Sequence, residues 1–316
     1  MKKALIVGIN DYPSAPLNGC VNDANTIGSI LESHGDGSPN FSIKMMTSPN
    51  LPITRSILRE AIEQLFTGDP DMALLYFSGH GYIKSTGGYL VTTDAKKYDE
   101  GVSMDDVLTL ANRSKAKNRV IILDCCHSGA LGSPSIAGNN IAQLSEGLSV
   151  LTASRDFEYA IEVNGSGVFT SLVVDALKGG AADLRGNITP GSLYAYVDEA
   201  LGAWDQRPIF KTNVTSFAPL RKIPPKVPFD IMRKITKYFA TPDSEHQLNP
   251  TYEDTDPSAI PDNVSIFKDL QKFQSVGLVV PVDADFMYFA AINSKSCRLT
   301  ALGYQYWRLV NEKKLA

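Results

Sequence analysis

The sequence predicts an α/β domain built on a mainly parallel sheet of six strands, followed by a smaller α+β domain. Over the first two thirds of the 316 residues, short apolar runs alternate with amphipathic stretches, as in a parallel sheet flanked by helices. A Pro/Lys-rich segment then separates this region from one of different composition, and such segments act as semi-rigid spacers. We therefore predict domains at residues 1–220 and 229–316, joined by a linker at 221–228.

Six apolar runs of strand length are predicted to form the sheet. Buried strands of a parallel sheet read as nearly continuous apolar runs rather than as alternating patterns. The six runs are ALIVGI from Ala4, FSIKMMT from Phe41, MALLYF from Met72, the run that ends at Asp124, LSVLTAS from Leu148 and RPIFKT from Arg207. GGYLVTTD, from Gly87, is predicted as an outlying strand.

Amphipathic segments between these runs are predicted as helices, because their apolar residues recur at helical spacing. Cap residues mark several ends: Thr189 precedes Pro190 at a helix start, and Gly179 closes another helix. Ser103 and Asp106 have the spacing of a capping box. The predicted helices are VNDANTIGSILESHG, TRSILREAIEQLF, SMDDVLTLANRS, VFTSLVVDALKGG and TPGSLYAYVDEALGAW.

Composition and charge exclude several classes of protein. The net charge of -4 gives no general attraction to nucleic acid or to an anionic membrane. Four cysteines are too few for a disulfide scaffold in a chain of this length, which favours reduced thiols in the cytosol. The N-terminal MKKALIVGINDYP is predicted as a strand and not as a signal peptide. No apolar run approaches the ~20 residues that span a bilayer, so we expect a cytoplasmic protein.

Reactive side chains directly follow two of the predicted strands. LLYFSGHG brings His80, and VIILDCCHSG brings Cys125 and Cys126, to the carboxyl ends of apolar runs. In an open α/β sheet, sites form outside those ends. A thiol becomes a nucleophilic thiolate when a base such as histidine lies within hydrogen-bond reach. The pattern therefore predicts a His/Cys dyad, and Gly79 and Gly81 would let backbone N–H groups approach an oxyanion.

The combination of YFSGHG and DCCHSG resembles the C14 group of cysteine peptidases, the caspase-like and more particularly the metacaspase-like proteins. Both family motifs, S-G-H-G and D-x-C-x-S-G, fit. The resemblance implies a caspase-like fold with Cys126 as the nucleophile and His80 as the base. It implies an oxyanion hole formed by the backbone N–H groups of Gly81 and Cys126. In the same register Cys125 is a variable neighbour, and His127 has no catalytic role.

The resemblance also implies a pocket for the substrate residue that precedes the cut. Metacaspases carry G-C-x-x-D, matched here by GCVND, and by position the pocket residues are Cys20, Asp23, Ser78 and Asp124. Two carboxylates in one desolvated pocket favour a substrate Arg or Lys, which predicts cleavage after basic residues. The residues themselves leave a second interpretation of Asp23 open, because an acidic residue near a helix start also suits the helix dipole.

The loop after the proposed nucleophile bears on activation. Many relatives are activated by a cut in this loop, but the segment from Ala130 to Gly147 contains no Lys or Arg. Self-cleavage there by a basic specificity is therefore not expected. Partner binding, cleavage by another protease, or cuts in the linker between Lys222 and Lys226 are the remaining routes.

No cofactor is expected for the reaction, although Ca²⁺ is a weak candidate as an activator. Some metacaspases bind Ca²⁺ through aspartates, and Asp94, Asp105 and Asp106 lie in comparable regions, but SGALGSPS lacks the aspartate that those relatives carry after the nucleophile. Hard cations need several oxygen ligands, and helix-start charge is the other interpretation of Asp105 and Asp106. The Cys and His spacings match no zinc pattern, and His34 and His246 are expected on the solvated surface.

The region at residues 229–316 resembles a winged-helix fold: a helix ending at Gly277, a hairpin, then LTALG opening a final helix. From Lys226 onward it contains 11 Lys and Arg against 11 Asp and Glu, whereas a domain that reads phosphates should be basic. We therefore expect a module that recognises a regulatory protein partner, and no nucleic acid or membrane partner.

The sequence as a whole predicts a cytoplasmic cysteine endopeptidase that cuts proteins after Arg or Lys and is regulated by partner binding or by processing. Two alternatives remain open. One is a catalytically silent scaffold with the caspase fold, and the other is a DNA-binding regulator that acts through the winged helix.

Overall fold

The computed structural model describes residues 1–84, 87–125, 143–153, 162–163, 166–201 and 208–315. The chain divides into two compact units, Met1–Ile223 and Pro224–Ala316, and the point of division falls within the predicted linker. Within the described ranges, no helix is both long enough and apolar enough to cross a bilayer.

The first unit has a central sheet, helices on both of its faces and several short strands around it. Its strands are β1 (Lys2–Gly8), β2 (Phe41–Thr47), β3 (Met72–Ser78), β4 (Gly81–Lys84), β5 (Gly87–Lys96), β6 (Asp99–Ser103), β7 (Asn118–Asp124), β8 (Leu148–Thr152), β9 (Glu162–Val163), β10 (Ser166–Gly167), β11 (Asn187–Ile188), β12 (Ile209–Asn213) and β13 (Arg221–Lys222). Its helices are α1 (Cys20–Glu32), α2 (Arg55–Phe66), α3 (Met104–Arg113), α4 (Val168–Asp175) and α5 (Pro190–Ala200), with a π-helical turn, Ala176–Gly180, after α4.

The central sheet has six strands in the order β12-β8-β7-β3-β1-β2. All neighbouring strands are parallel except β12, which runs antiparallel to β8 at one edge. The predicted mainly parallel six-stranded sheet is confirmed, and its strands coincide with the six apolar runs. Every residue of β3 is buried, because helices cover both faces of a parallel sheet.

Two separate cores form because successive side chains of a strand point to opposite faces. Leu75 and Phe77 of β3 pack in a cluster that contains residues of α2 and α3. We call this side of the sheet the α3 face. Leu74 and Tyr76 pack in a cluster that contains residues of α1, α4 and α5, and this side is the α4 face. The two faces hold different parts of the candidate site.

A smaller antiparallel sheet, β4-β5-β6, carries residues of the α3 face. The outlying strand predicted at Gly87 is present as β5, but its two partners were not predicted. Strand β4, with the sequence GYIK, is very short, and β6, with the sequence DEGVS, contains residues that are depleted in strands. Strand β6 forms because the chain reverses at Lys97 and Tyr98. At Gly101, φ is 141°, and a Cβ there would collide with the carbonyl oxygen of Leu90.

Cap residues fix several helix ends as predicted. Thr189 and Ser192 form a reciprocal capping box before α5, with Pro190 at its first position. Gly179, with φ 136°, ends the helical segment inside the π-helical turn. The capping box predicted for α3 is wrong in detail, because the Ser103 hydroxyl accepts a hydrogen bond from the N–H of Asp105 and not from that of Asp106.

The second unit contains short helices and a three-stranded antiparallel sheet in the order β14-β16-β15. The connection between β15 and β16 includes a helix, where a hairpin was expected. The winged-helix interpretation stays a prediction. The elements are α6 (Phe229–Met232), α7 (Ile235–Tyr238), β14 (Glu245–Gln247), a 3₁₀ turn (Pro250–Tyr252), α8 (Pro261–Ser275), β15 (Val279–Val282), α9 (Met287–Ile292), β16 (Ser296–Leu299) and α10 (Ala301–Asn311).

Candidate active site

The candidate active site lies where β1, β3 and β7 end at one edge of the central sheet. Gly8, Ser78 and Asp124 are the last residues of these strands and lie opposite one another in register. Just beyond them, the N–H of Gly79 donates a hydrogen bond to the carbonyl oxygen of Asp124 at 3.3 Å. The segments that follow β3 and β7 therefore start side by side, as expected at the carboxyl edge of a parallel sheet.

His80, the predicted base, is half-buried at this edge, and its ring has a defined orientation. Its Nε2 lies 2.7 Å from the carbonyl oxygen of Ala15, in the loop between β1 and α1. A carbonyl oxygen only accepts hydrogen bonds, so Nε2 carries the proton in the neutral ring. The acceptor nitrogen of the neutral imidazole is then Nδ1, the atom that can take a proton from a thiol.

Tyr12, which the sequence did not indicate, supports His80 from the α3 face. Its ring centroid lies 4.6 Å from that of His80. The Tyr12 hydroxyl accepts a hydrogen bond from the backbone N–H of His80 at 3.0 Å and donates to the carbonyl oxygen of Val91 at 3.3 Å. Burial raises the pKa of Tyr12 well above its usual range, which keeps the hydroxyl proton available as a donor. Gly79 is required here, because a Cβ on it would collide with this hydroxyl.

Of the two adjacent cysteines, only Cys125 lies within the described residues. Cys125 is fully buried and belongs to the core of the α3 face, in the same cluster as Tyr12. Cys126 and His127 lie outside the described residues. The oxyanion-hole assignment to Gly81 and Cys126 stays a prediction, although Gly81 directly follows His80 as the first residue of β4.

The four residues predicted for the substrate pocket lie at this same edge. Asp23, Asp124, Ser78 and Cys20 are all at least 95% buried, with exposures of 2%, 5%, 2% and 5%. Cys20 begins α1, whose first turn packs on the end of β1, where a Cβ on Gly8 would collide with the Cys20 carbonyl oxygen. Ser78 and Asp124 are register partners on the neighbouring strands. The structure therefore brings together Asp124 and the start of α1, which are far apart in the sequence.

The two carboxylates meet at the start of α4. The N–H of Gly167 donates to Oδ2 of Asp23 at 3.0 Å, and the hydroxyl of Thr170 donates to Oδ2 of Asp124 at 2.6 Å. A Cβ on Gly167 would collide with Oδ2 of Asp124 and lie 3.4 Å from Oδ2 of Asp23. Both oxygens thus approach one point, and the N-terminal end of a helix also favours negative charge.

Tyr76 completes the buried polar group behind Asp124. Its hydroxyl lies 2.6 Å from that of Thr170. Burial raises the pKa of Tyr76 well above its usual range, and the charges of Asp124 and Asp23 raise it further. The sequence predicted the MALLYF run, which contains Tyr76, only as a strand, and the VFTS stretch, which contains Thr170, only as a helix start. Nothing in the local pattern relates Thr170 or Gly167 to the carboxylates they contact.

A cavity of about 580 Å³ opens beside His80 and Gly81. The small β4-β5-β6 sheet provides most of its walls, and Ala15 contributes from the loop that also contacts the His80 ring. His80 thus lines this cavity and also follows β3, whose last residue, Ser78, belongs to the predicted substrate pocket (Cys20, Asp23, Ser78 and Asp124), called the carboxylate pocket below. The resemblance of the SGHG and DCCHSG motifs to the C14 peptidases did not predict this cavity.

The three calcium candidates occupy two places. Asp94 Oδ1 accepts hydrogen bonds from the N–H of Arg55 at 3.0 Å and from the Thr92 hydroxyl at 2.7 Å. Asp105 and Asp106 lie in the first turn of α3. Across the part of the chain that the structure describes, no three His, Cys, Asp or Glu side chains cluster closely enough to hold a metal ion.

The two histidines expected on the solvated surface, His34 and His246, are partly exposed, and each also forms hydrogen bonds. Nδ1 of His34 accepts from the N–H of Lys222 at 3.0 Å, and burial lowers the pKa of this ring. His246 lies in β14, with Nδ1 2.9 Å from the carbonyl oxygen of Tyr238 and Nε2 3.2 Å from the hydroxyl of Tyr252.

The fold and the site define a class: an α/β domain with a caspase-like sheet, in which a histidine follows one central strand and a cysteine pair follows the next. The chain belongs to the caspase domain family of C14 peptidases, whose sequence model matches residues 1–291. The family has a cysteine peptidase function in general, which is the hydrolysis of protein substrates. Comparison with curated proteins gives no significant match.

Many solved structures resemble this chain, including the following two. Protein GSU0716 from Geobacter sulfurreducens is 18% identical, with a TM-score of 0.51, over 71% of this chain and 98% of that chain. Caspase-1 from Spodoptera frugiperda is 12% identical, with a TM-score of 0.51, over 70% of this chain and 90% of that chain. At these identities the similarity concerns the fold, which is caspase-like.

Proposed function

We propose that this chain is a metacaspase-like cysteine endopeptidase that cleaves proteins after arginine or lysine, with His80 and Cys126 as its dyad. The observation that carries the proposal is the convergence of the Asp23 and Asp124 carboxylates on one point beside Gly167. They converge at the same sheet edge from which His80 extends, so a basic side chain held there would bring its own carbonyl carbon next to the base.

The dyad follows from the orientation of His80. With Nε2 bound to the Ala15 carbonyl, Nδ1 takes the proton of the Cys126 thiol, and the thiolate attacks the substrate carbonyl carbon. The same nitrogen then gives its proton to the leaving amine, and water hydrolyses the acyl-enzyme. Cys125 is unsuited to this role, because its side chain is fully buried in the core of the α3 face. Backbone N–H groups of Gly81 and Cys126 would stabilise the oxyanion.

The specificity follows from charge in a pocket that excludes water. Each carboxylate accepts a hydrogen bond from the start of α4, and both carry negative charge at one place. A guanidinium or ammonium group is attracted by both buried carboxylates, whereas an acidic side chain would be repelled by both. Cys20 and Ser78, also buried at this edge, complete the proposed pocket.

We propose that activity is controlled by a protein partner, bound through residues 229–316, or by processing by another protease. The absence of Lys and Arg between residues 130 and 147 argues against self-cleavage there. No cofactor takes part in the proposed reaction, and Asp94 already accepts two hydrogen bonds from protein groups. A cytoplasmic location fits a mechanism that needs a reduced thiol.

A peptide series tests the proposal. Four peptides differ only in the residue before the scissile bond, which is Arg, Lys, Gln or Asp, and cleavage is followed by mass spectrometry with Ca²⁺ and with EDTA. We expect cleavage after Arg and Lys under both conditions, because the dyad needs no metal. Cys126→Ala should lower the rate by several orders of magnitude, and Cys125→Ala should retain it.

The outcomes separate the alternatives. Cleavage after Asp, or activity that persists in Cys126→Ala, contradicts the proposed mechanism. Failure of the full chain to cut any of the four peptides, before and after limited proteolysis in the 130–147 loop, favours the silent scaffold. Loss of activity in EDTA that Ca²⁺ restores would make Ca²⁺ an activator.

A further inference from the structure

The carboxylate pocket lies on the α4 side of the central sheet, whereas the 580 Å³ cavity is lined by the small β4-β5-β6 sheet and by His80. Asp124 bonds to Thr170, and both Thr170 and Tyr76 belong to the α4 side of the sheet. The cavity is lined by residues of the β4-β5-β6 sheet, whose buried residues pack in the core of the α3 face. His80 lines the cavity directly and follows the strand that ends at the pocket.

This placement assigns a direction to a bound substrate. In the proposed mechanism the residue before the scissile bond puts its side chain in the carboxylate pocket and becomes the acyl group on the cysteine. The residue after the bond carries the amine that receives the proton from His80, so it must pass within hydrogen-bond reach of that ring. The chain that continues from this amine then extends to the other side of His80, toward the cavity.

The cavity has apolar walls and a positively charged rim. Tyr82, Val91 and Ala95 contribute apolar surface. Lys84 forms an ion pair with Glu100 across the cavity, so these two charges offset each other. Lys96 and Lys97 also line it, and neither forms an ion pair with any described residue. The uncompensated charge of the rim is therefore positive.

Tyr98 gives a second, independent indication that this rim is a contact surface. Its φ is 74°, a conformation that is costly for a bulky side chain, and its side chain is 81% exposed. The Nζ atoms of Lys84 and Lys97 each lie 5.2 Å from its ring centroid. A strained turn here presents an aromatic face flanked by two cations, which suits a peptide that carries an apolar and an acidic side chain.

We propose that this cavity binds the substrate segment that follows the scissile bond, and that Lys96 and Lys97 select an acidic residue within the first three positions of that segment. The proposal rests on the proposed endopeptidase function and adds a second specificity to it. The enzyme would recognise a basic residue before the cut and an acidic residue shortly after it.

Three substrates with the same residues up to Arg test it. One ends in a fluorescent amine directly after Arg, one continues with Ala-Phe-Asp, and one continues with Ala-Phe-Lys. For the wild type we expect kcat/KM for the Asp peptide to exceed that for the Lys peptide by about five-fold, the size expected for one or two exposed charge pairs. The ratio should approach one as salt is raised, because exposed charges are screened.

The charge-reversal variant K96E/K97E should bring the ratio to one or invert it. The matched control is Lys115→Glu, an exposed lysine that precedes β7 at the opposite edge of the sheet, and it should keep the wild-type ratio.

If the wild type cleaves the fluorescent substrate but shows a ratio of one, or if K96E/K97E keeps the wild-type ratio, this inference is overturned and the proposed function stands. If the wild type cleaves none of the three substrates, before and after limited proteolysis between residues 130 and 147, the endopeptidase function fails, and the inference fails with it.

Discussion

The carboxylate pocket and the cavity beside His80 hold their charges in opposite ways. In the pocket, Asp23 and Asp124 are 2% and 5% exposed and are fixed by donors from the start of α4. In the cavity, Lys96 and Lys97 are exposed residues at a hairpin turn. One region places charge where water is excluded, and the other places it in solvent.

If both regions bind substrate as proposed, this difference determines how strongly each one can discriminate between substrates. Charge–charge interactions are several times stronger at the low effective dielectric of a buried site than between exposed groups. A mismatched substrate side chain in the proposed pocket is also placed against buried charge, which costs far more than a lost surface pair. We therefore expect the pocket to decide whether a bond is cut and the cavity to rank the sequences that qualify.

The largest expected effect follows from neutralising one pocket carboxylate. Asp124→Asn keeps the size of the side chain but removes one of two charges, so kcat/KM for Arg peptides should fall on the order of a hundred-fold. The rate for a Gln peptide should stay the same or rise, because a neutral side chain does not need the charge. The measurement is the ratio of kcat/KM for the Arg and Gln peptides.

The control for this substitution is Asp105→Asn, which neutralises an exposed carboxylate in the first turn of α3 and should keep the wild-type ratio. Thermal unfolding of both variants identifies any general loss of folding. A proportional decrease for Arg and Gln peptides in Asp124→Asn would show that Asp124 has no part in selecting basic residues.

The sequence was sufficient to predict the sheet edge, because the relevant signals are local. Continuous apolar runs mark β3 and β7, and SGHG and DCCHSG follow them directly. Parallel pairing then places Ser78 opposite Asp124. The six-stranded sheet could be predicted for the same reason.

Contacts that complete the site could not be predicted, because they join residues far apart in the chain. The Ala15 carbonyl and the His80 ring are 65 residues apart, and Asp23 and Gly167 are 144 residues apart. Neither pairing leaves a periodic signal in the sequence. The cavity was missed because its walls include β4 and β6, which are short and rich in residues that are uncommon in strands.

A smaller effect should follow from removing the hydroxyl that supports Asp124. Thr170→Val has nearly the same shape but cannot donate to Asp124 or bond to Tyr76, so buried oxygens lose a partner. We expect kcat/KM for Arg peptides to fall about ten-fold, mainly through KM, because the hydroxyl positions the pocket and not the dyad. Thr170→Ser should restore most of the loss. An equal fall in kcat with KM unchanged would contradict this positioning role.

The smallest effect concerns stability at high pH and compares a tyrosine behind the pocket with one beside the cavity. Burial and the charges of Asp124 and Asp23 raise the pKa of Tyr76 well above its usual value, so the folded protein keeps this phenol protonated. The unfolded chain loses the proton near pH 10. The stabilising contribution of Tyr76 is therefore fully present below pH 10 and is lost as the pH rises above it.

Between pH 9 and 11, the melting temperature of Tyr76→Phe should fall less steeply than that of the wild type, although it starts lower because the hydrogen bond to Thr170 is gone. Tyr98→Phe, at an 81% exposed position, should keep the wild-type slope, and equal slopes for all three proteins would contradict a buried, protonated Tyr76 behind the pocket.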